Sequence, residues 1–224
     1  MIFLRIILLV IGYGFGLIET GVLYGKIAGV DLRQHGSGNS GTTNALRVMG
    51  FKAGLIVFLG DFLKGFIPCL ITRIILKDRF PDTYLLYVLY VGLGAVLGHV
   101  FPFYLKFKGG KGIATIGGTV VGLLQPLMIV ILLVLFVSAI AISKYMSVGS
   151  ILLMIEFVVV YIIFGVCGLL CFDMSVPSSK AAFIESVVIA VIFASVAIYK
   201  HKANIIRLMN HEENKFHFKK QEGV

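Results

Sequence analysis

The sequence predicts an all-α integral membrane protein. Of its 224 residues, 58% are hydrophobic and only 14% are charged, whereas soluble domains are nearer half apolar and a quarter charged. The apolar residues are gathered into long runs, each near or above the roughly 18–20 residues that a bilayer crossing requires. There are six runs: Ile2–Tyr24, Ala53–Leu76, Thr83–Val100, Ile113–Ser143, Tyr145–Phe172 and Ala181–Tyr199. We expect residues 1–224 to form a single polytopic domain.

The first and fourth runs need interpretation. The first resembles a signal peptide, because Arg5 precedes a long apolar stretch, but it is too long and lacks a small-x-small cleavage site, so we expect a retained span. The fourth, Ile113–Ser143, would make a helix of about 45 Å, against a hydrocarbon core of about 30 Å. Gln125–Pro126 lies in its middle, and proline breaks or kinks a helix. Either one kinked helix crosses, or two helices form a hairpin and bring the count to seven.

The distribution of basic residues favours seven spans. In that arrangement one side of the membrane holds the segments 25–52, 101–112 and 144–150 and the tail at 200–224, with 14 of the 20 Lys and Arg residues. The other side holds Arg5, Arg73, Lys77, Arg79 and Lys180. Because cytoplasmic loops carry the excess of Lys and Arg, we expect these segments and the C-terminus in the cytoplasm and the N-terminus outside. Six spans would separate the basic segments.

Charge and cysteine usage limit the partners. A formal charge of +9 is compatible with nucleic-acid binding, but the basic residues lie beside membrane spans, so anionic head groups and anionic substrates are the expected partners and nucleic acid is not. Cys69, Cys167 and Cys171 are odd in number and lack CxxC spacing, which argues against a disulfide framework or a zinc site. We expect neither a metal nor a cofactor.

The first glycine-rich segment is His35–Asn44 (HGSGNSGTTN), and it spells GxGxxG with Asp61 twenty residues after Gly41. The dinucleotide-binding fingerprint requires a strand before this motif, whereas a membrane span precedes it here. What remains is anion binding. Glycines let backbone N–H groups approach an anion, and Thr42, Thr43 and Asn44 are suited to the start of a helix that points its amides at one.

The second glycine-rich segment is Gly98–Thr115 (GHVFPFYLKFKGGKGIAT). It fails the P-loop pattern, because Gly112 follows Lys111 where Ser or Thr is required. Lys108 and Lys111 nevertheless precede a helix that begins at Ile113, and lysine beside a helix N-terminus suits phosphate. The alternative is a basic loop that only binds lipid head groups. His99, in the same segment, is either a general acid or base or a hydrogen-bonded interfacial histidine.

Several ionisable residues lie within the spans. Asp61 and Lys64 are three residues apart and share a helix face, so they form either a structural ion pair or part of a substrate site. Glu19, Glu156 and Glu185 are interpreted as isolated. The sequence lacks the His-x4-Asp pattern of many glycerolipid acyltransferases, a GxSxG elbow, HExxH and an acidic cluster suited to magnesium.

Four segments carry a resemblance to a known family. Asp31–Gly65, Gly98–Thr115, Lys144–Ile151 and His201–Lys215 resemble, in order and spacing, the motifs of the bacterial PlsY-type glycerol-3-phosphate acyltransferases. The resemblance implies transfer of an acyl chain from acyl phosphate to the 1-hydroxyl of sn-glycerol 3-phosphate, which gives lysophosphatidic acid and phosphate in phospholipid synthesis. It also implies seven helices in the bacterial cytoplasmic membrane, contact with membrane lipids and no cofactor. We expect a monomer.

The resemblance also implies a site at the phosphates. Ser37, His99 and Lys111 are the candidate catalytic residues, and Arg47 can present a bidentate fork to a phosphate. The other expected substrate-binding residues are Gly36, Gly38, Asn39, Gly41, Thr43, Asn44, Lys108, Gly109, Gly110, Gly112, Ser147, Ser150, Asn204 and Arg207.

The chain departs from the family pattern at a few positions. Ser40 stands where proline is usual in the first motif, and Glu19 stands where a proline is common. The other departures are Thr42 for alanine, Lys144 for arginine and His211 for glycine.

From the residues alone, a transporter of a phosphorylated metabolite and a lipid-binding scaffold remain alternatives. A transporter would have its polar groups near the midplane and inverted repeats, whereas these motifs lie at one face.

Overall fold

A computed structural model describes residues 2–215, and within them the chain is entirely helical, as predicted. Two short 3₁₀ helices, Leu32–Gln34 and Phe103–Leu105, accompany ten α-helices. The α-helices are α1 (Ile2–Gly16), α2 (Thr20–Ile27), α3 (Thr42–Met49), α4 (Phe51–Leu76), α5 (Tyr84–Val100), α6 (Ile113–Gly122), α7 (Pro126–Ser143), α8 (Met146–Val166), α9 (Pro177–Lys200) and α10 (Lys202–Met209). The part of the expected tail beyond Lys215 lies outside the described residues.

The first apolar run is broken, which the sequence did not predict. α1 ends at Gly16 and α2 begins at Thr20, so the span expected over Ile2–Tyr24 is two helices. Carbonyls at the end of a helix have no partner within it, and here other elements supply donors. The Tyr104 hydroxyl donates to the Leu17 carbonyl at 2.6 Å, and Lys64 Nζ donates to the Ile18 carbonyl at 2.7 Å.

The fourth run is also two helices, as the hairpin alternative required. α6 ends at Gly122, and α7 starts with Pro126 at its first position, where the missing N–H of proline costs no helical hydrogen bond. The turn between them lies beside the end of α4, because Arg73 donates to the Leu123 carbonyl at 2.6 Å. Among residues 2–215, six helical segments are long and apolar enough to cross a membrane, and α6 is shorter. The seven-span count and the orientation stay predictions.

α5 is the central helix, and nearly all of its residues are buried. It packs against α1, α4, α6 and α9. Contact with α1 is close because both helices present glycines: a Cβ on Gly98 would overlap the Tyr13 carbonyl, and one on Gly12 would overlap the Val91 carbonyl. Gly16 on α1 and Gly94 on α5, each four residues from one of these, make the same kind of contact, so both glycine pairs serve helix packing, as small residues do in membrane bundles.

The connections segregate to the two ends of the bundle. At one end the Ser179 hydroxyl donates to the Asp82 carbonyl at 2.9 Å, joining the start of α9 to the α4–α5 connection. At the other end, both glycine-rich segments, the start of α8 and α10 border one cavity. The motif-bearing segments thus meet at a single end of the molecule.

Candidate active site

A cavity of about 470 Å³ brings together most of the predicted site residues. Thirteen of the eighteen line it: Ser37, Asn39, Gly41, Thr43, Asn44, Arg47, His99, Lys111, Gly112, Ser147, Ser150, Asn204 and Arg207. The five that do not line it are Gly36, Gly38, Lys108, Gly109 and Gly110. Segments far apart in sequence therefore converge on one space, and four of the five residues outside its lining are glycines.

Asn44 holds the first glycine-rich segment in shape. Its Oδ1 accepts the Ser37 N–H at 2.8 Å. Its Nδ2 lies 2.9 Å from the carbonyls of Leu32 and Asn39 and 3.0 Å from that of His35. The residue was expected as a substrate ligand, but these bonds occupy its amide with the backbone of the segment. Asn44 is thus the scaffold on which the neighbouring cavity residues are arranged.

Gly36 and Gly38 shape the segment from behind the cavity wall. Both adopt left-handed backbone conformations, with φ of 61° and 69°, a region that glycine enters without steric cost. A Cβ on Gly36 would also overlap the Asn44 side chain. Their conformation allows the turn that carries Ser37 and Asn39 to the cavity, and substrate contact by the two glycines stays a prediction.

The glycines of the second segment pack on His99. A Cβ on Gly110 would overlap Nε2 of the imidazole, and one on Gly109 would overlap the His99 carbonyl. Both were expected to bind substrate, but in the structure they allow the segment to lie directly on the end of α5. Lys108 is exposed and lies outside the cavity lining, and its contact with substrate stays a prediction.

Lys111 reaches into the cavity and meets α10. Its Nζ donates to Asn204 Oδ1 at 2.5 Å, and the Asn204 amide in turn donates to Glu213 at 2.8 Å. Glu213 also accepts from Arg207 Nε at 2.8 Å. Burial is the main cause that lowers the pKa of Lys111 to about 8, with Glu213 opposing the shift and the charges of Arg207 and Arg47 adding to it. The polar end of the cavity is therefore cationic, because Lys111, Arg207 and Arg47 lie close enough for their positive charges to repel one another.

Sequence reasoning missed Glu213 and His201, although both lie within the His201–Lys215 motif that carried the resemblance. Only 8% of the Glu213 side-chain surface is exposed. His201 lines the cavity, and its Nδ1 lies 2.7 Å from the Ala197 carbonyl, which can only accept a hydrogen bond. Burial, and then the charge of Lys111, lower the pKa of His201 to about 4. The imidazole is neutral at physiological pH, with Nε2 left as an acceptor.

A buried cluster of charged groups lies beneath the two glycine-rich segments. Lys64 Nζ lies 3.0 Å from Asp61 Oδ1, which confirms the ion pair, and 2.6 Å from His99 Nδ1. Glu19 Oε1 lies 3.4 Å from Lys64 Nζ and 3.0 Å from His99 Nδ1. Asp61 and His99 also line the cavity. The interpretation of Glu19 as isolated is therefore wrong, because its partners come from helices distant in sequence.

The other two intramembrane glutamates differ from each other. Glu185 is not isolated, since it accepts from Arg5 at 2.6 Å and from the Tyr90 hydroxyl at 2.5 Å. Oε2 of Glu156 is buried and has no hydrogen-bond partner within residues 2–215. The same part of the chain contains no group of three His, Cys, Asp or Glu side chains arranged to hold a metal ion.

The remainder of the cavity is apolar. Its walls come from α4, α6, α7 and α8, which contribute Phe58, Phe62, Ile113, Val121, Ile129, Leu133, Phe136 and Phe157. Ser147 also lines the cavity, and its buried hydroxyl has no hydrogen-bond partner in the described structure. The cavity therefore suits a ligand with an anionic head and an apolar chain.

Comparisons with known proteins agree with this geometry. The model of the family "Glycerol-3-phosphate acyltransferase" matches residues 6–211. A glycerol-3-phosphate acyltransferase of Chlorobium phaeobacteroides is 37% identical over an alignment of 228 residues. The alignment covers 95% of this chain and 97% of the relative. One of Geobacter sulfurreducens is 39% identical over 212 residues, with the same coverage of each chain.

Two solved structures have the same fold. Both are crystal structures of PlsY (YgiH), described as an integral membrane glycerol 3-phosphate acyltransferase. The glycerol 3-phosphate form aligns with a TM-score of 0.78 at 33% identity, over 95% of this chain and 96% of that one. The lysophosphatidic acid form aligns with a TM-score of 0.76 at 32% identity, over 95% of each chain. The chain belongs to the glycerol-3-phosphate acyltransferase family.

Proposed function

We propose that the protein transfers an acyl chain from acyl phosphate to the 1-hydroxyl of sn-glycerol 3-phosphate, releasing lysophosphatidic acid and phosphate. The observation that carries the proposal is a single cavity that joins a cationic polar end to an apolar interior. The similar proteins named glycerol-3-phosphate acyltransferase support the acceptor. The forms in which PlsY was solved support both this acceptor and the product.

Both proposed substrates carry phosphate, and the polar end offers groups for each. Arg47 provides a planar fork that suits a phosphate, and Lys111 provides a mobile point charge. Ser37 and Asn39 approach from the first glycine-rich segment, and the unpartnered Ser147 hydroxyl approaches from α8. Arg207 is already paired with Glu213, so we assign Arg47 and Lys111 as the principal phosphate ligands, one for each substrate.

The apolar part of the cavity is the proposed site of the acyl chain. On α8 the cavity-lining residues run from Met146 to Phe157, which is about 16 Å along a helix. Over this distance α4, α6 and α7 complete the wall. An acyl chain lying there removes apolar surface from water at about 25 cal/mol per Å², and its carbonyl carbon then lies near Ser147, beside the phosphate ligands.

The proposed reaction is a direct displacement. The 1-hydroxyl oxygen attacks the carbonyl carbon, the bond from that carbon to the bridging phosphate oxygen breaks, and phosphate leaves with the electron pair and receives the hydroxyl proton. Acyl phosphate is already activated, so positioning and stabilisation of the developing negative charge provide most of the rate. Nδ1 of His99 lies 2.6 Å from Lys64 Nζ and 3.0 Å from Glu19 Oε1, and we assign His99 a role in fixing the part of the second segment that packs on its ring.

The test is purified protein in lipid nanodiscs with acyl phosphate and sn-glycerol 3-phosphate, following phosphate release and detecting the lipid product by mass spectrometry. We expect phosphate release that depends on glycerol 3-phosphate, with one lysophosphatidic acid formed per phosphate. The matched control is the Arg47→Met/Lys111→Met double variant in the same nanodiscs. Release that is independent of glycerol 3-phosphate, or equal in the control, would contradict the proposal. Uptake of glycerol 3-phosphate into proteoliposomes without acyl phosphate would favour the transporter.

A further inference from the structure

We infer that Glu19 is a positioning residue of the proposed acyl-transfer site, joining the first glycine-rich segment to the His99 wall of the cavity. The inference rests on the proposed function. Glu19 lies in the break between α1 and α2, immediately before Thr20, and is 1% exposed. A carboxylate so deeply buried is costly unless donors surround it, so its contacts indicate what it does.

The two carboxylate oxygens contact different parts of the site. Oε2 accepts from the Ser40 hydroxyl of the first glycine-rich segment at 3.2 Å. Oε1 lies 3.0 Å from Nδ1 of His99 and 3.4 Å from Nζ of Lys64. The His99 ring in turn supports Gly110 of the second segment. One side chain therefore connects directly to the segment that carries Ser37 and, through His99, to the segment that carries Lys111.

Neutralising the charge of Lys64 does not by itself explain why a carboxylate is buried at position 19. Lys64 is already paired with Asp61 at 3.0 Å and donates to the Ile18 carbonyl at 2.7 Å. A second buried carboxylate is not needed to balance that ammonium. What Glu19 adds to the cluster is contact with Ser40 and His99, both of which belong to the glycine-rich segments.

The backbone around Glu19 is held in place by the same two segments. A Cβ on Gly21 would overlap the Ser40 carbonyl, so α2 lies directly against the first segment. The Tyr104 hydroxyl of the second segment donates to the Leu17 carbonyl at 2.6 Å. Because both glycine-rich segments contact the backbone around the α1–α2 connection, the Glu19 carboxylate there is suited to set the distance between them.

The experiment separates the two contacts of Glu19. Ser40→Ala removes only the bond to the first segment, and we expect the KM for glycerol 3-phosphate to rise about tenfold with kcat unchanged. Glu19→Gln keeps an acceptor for Ser40 but removes the charge beside His99, and we expect kcat to fall about tenfold with little change in KM. Glu19→Ala should show both effects.

The matched control is Glu185→Gln, which removes an intramembrane carboxylate paired with Arg5 away from the cavity. It should lower thermal stability and leave kcat and KM within about twofold of wild type. Kinetic constants of Ser40→Ala or Glu19→Gln within that same range would overturn the inference. If Glu19→Gln does not fold, Ser40→Ala decides alone. An inactive wild-type protein would contradict the proposed function instead, so the two failures are distinguishable.

Discussion

Nζ of Lys111 lies 2.5 Å from Oδ1 of Asn204, which joins the second glycine-rich segment to α10 across 93 residues of sequence. Asn204 is held by Glu213, and Glu213 also holds Arg207. The ammonium of Lys111 is therefore fixed in a partly buried, cationic environment. Raising the pH deprotonates this ammonium and removes its positive charge from the site.

The pH dependence of activity should reveal this charge. Burial lowers the pKa of Lys111 to about 8, and lysine is charged below its pKa. We expect kcat/KM for glycerol 3-phosphate to be highest below about pH 8 and to fall as pH rises through that value, because kcat/KM reports the free enzyme. Lys111→Arg, which stays charged, should remove the fall. An identical fall in the Lys111→Arg protein would assign the titration to another group.

Arg47 and Lys111 should act on different substrates. Replacing either with Met removes a charge-assisted contact worth roughly 1.5–3 kcal/mol, so we expect about a tenfold to hundredfold loss of catalytic efficiency. Each variant should raise the KM of one substrate far more than that of the other. Lys52→Met is the control, because Lys52 is exposed, lies outside the cavity and was not expected in the site, so its loss should change little. Equal effects of both variants on the same KM would show that one phosphate contacts both residues.

Gly110 should not tolerate a side chain. A Cβ there would overlap Nε2 of the buried His99 ring, and overpacking of this kind costs about 1–3 kcal/mol. We expect Gly110→Ala to lower the thermal unfolding midpoint and to reduce activity by about tenfold or more. Gly14→Ala is the matched control, since Gly14 is exposed on α1 and no atom lies within 4 Å of a Cβ built there. Wild-type activity in Gly110→Ala would show that the second segment does not need close contact with His99.

No acylated protein should form during the reaction. The donor is activated, and the sequence lacks a GxSxG elbow and the His-x4-Asp pattern, so direct transfer is expected. Incubation with acyl phosphate alone, followed by intact-protein mass spectrometry, should show unmodified protein, and initial rates should follow a sequential pattern in both substrates. An acyl adduct on Ser37, Ser147 or a cysteine that passes its chain to added glycerol 3-phosphate would refute direct transfer.

The orientation in the membrane can be tested by labelling. In a background without the three native cysteines, Gln34→Cys and Ser178→Cys place thiols at exposed positions at opposite ends of the bundle. If the excess of basic residues marks the cytoplasmic side, an impermeant maleimide added to intact cells should label position 178 and not position 34. The reverse pattern would invert the proposed topology.

The sequence by itself determined most of the long apolar helices, but not the break between α1 and α2, and it indicated that the polar motifs lie together at one end of the molecule. Hydropathy and helix breaking are local properties, so the runs of apolar residues indicated the spans and Gln125–Pro126 marked the end of α6 and start of α7. The glycine-rich segments could likewise be identified from their composition. Thirteen of the eighteen expected site residues line one cavity because the motifs follow helices that end at the same face.

Only the tertiary structure decided which polar groups meet. Ser40 lies 21 residues from Glu19, and Lys64 lies 45 residues from it, so nothing in the local sequence distinguishes a partnered glutamate from an isolated one. Gly110 was expected to approach a phosphate, yet its missing side chain makes room for His99. The physical reason is the same in both cases: burial makes an unpaired charge or an overlapping atom costly, and the partner that relieves this cost is chosen by the packing of whole helices.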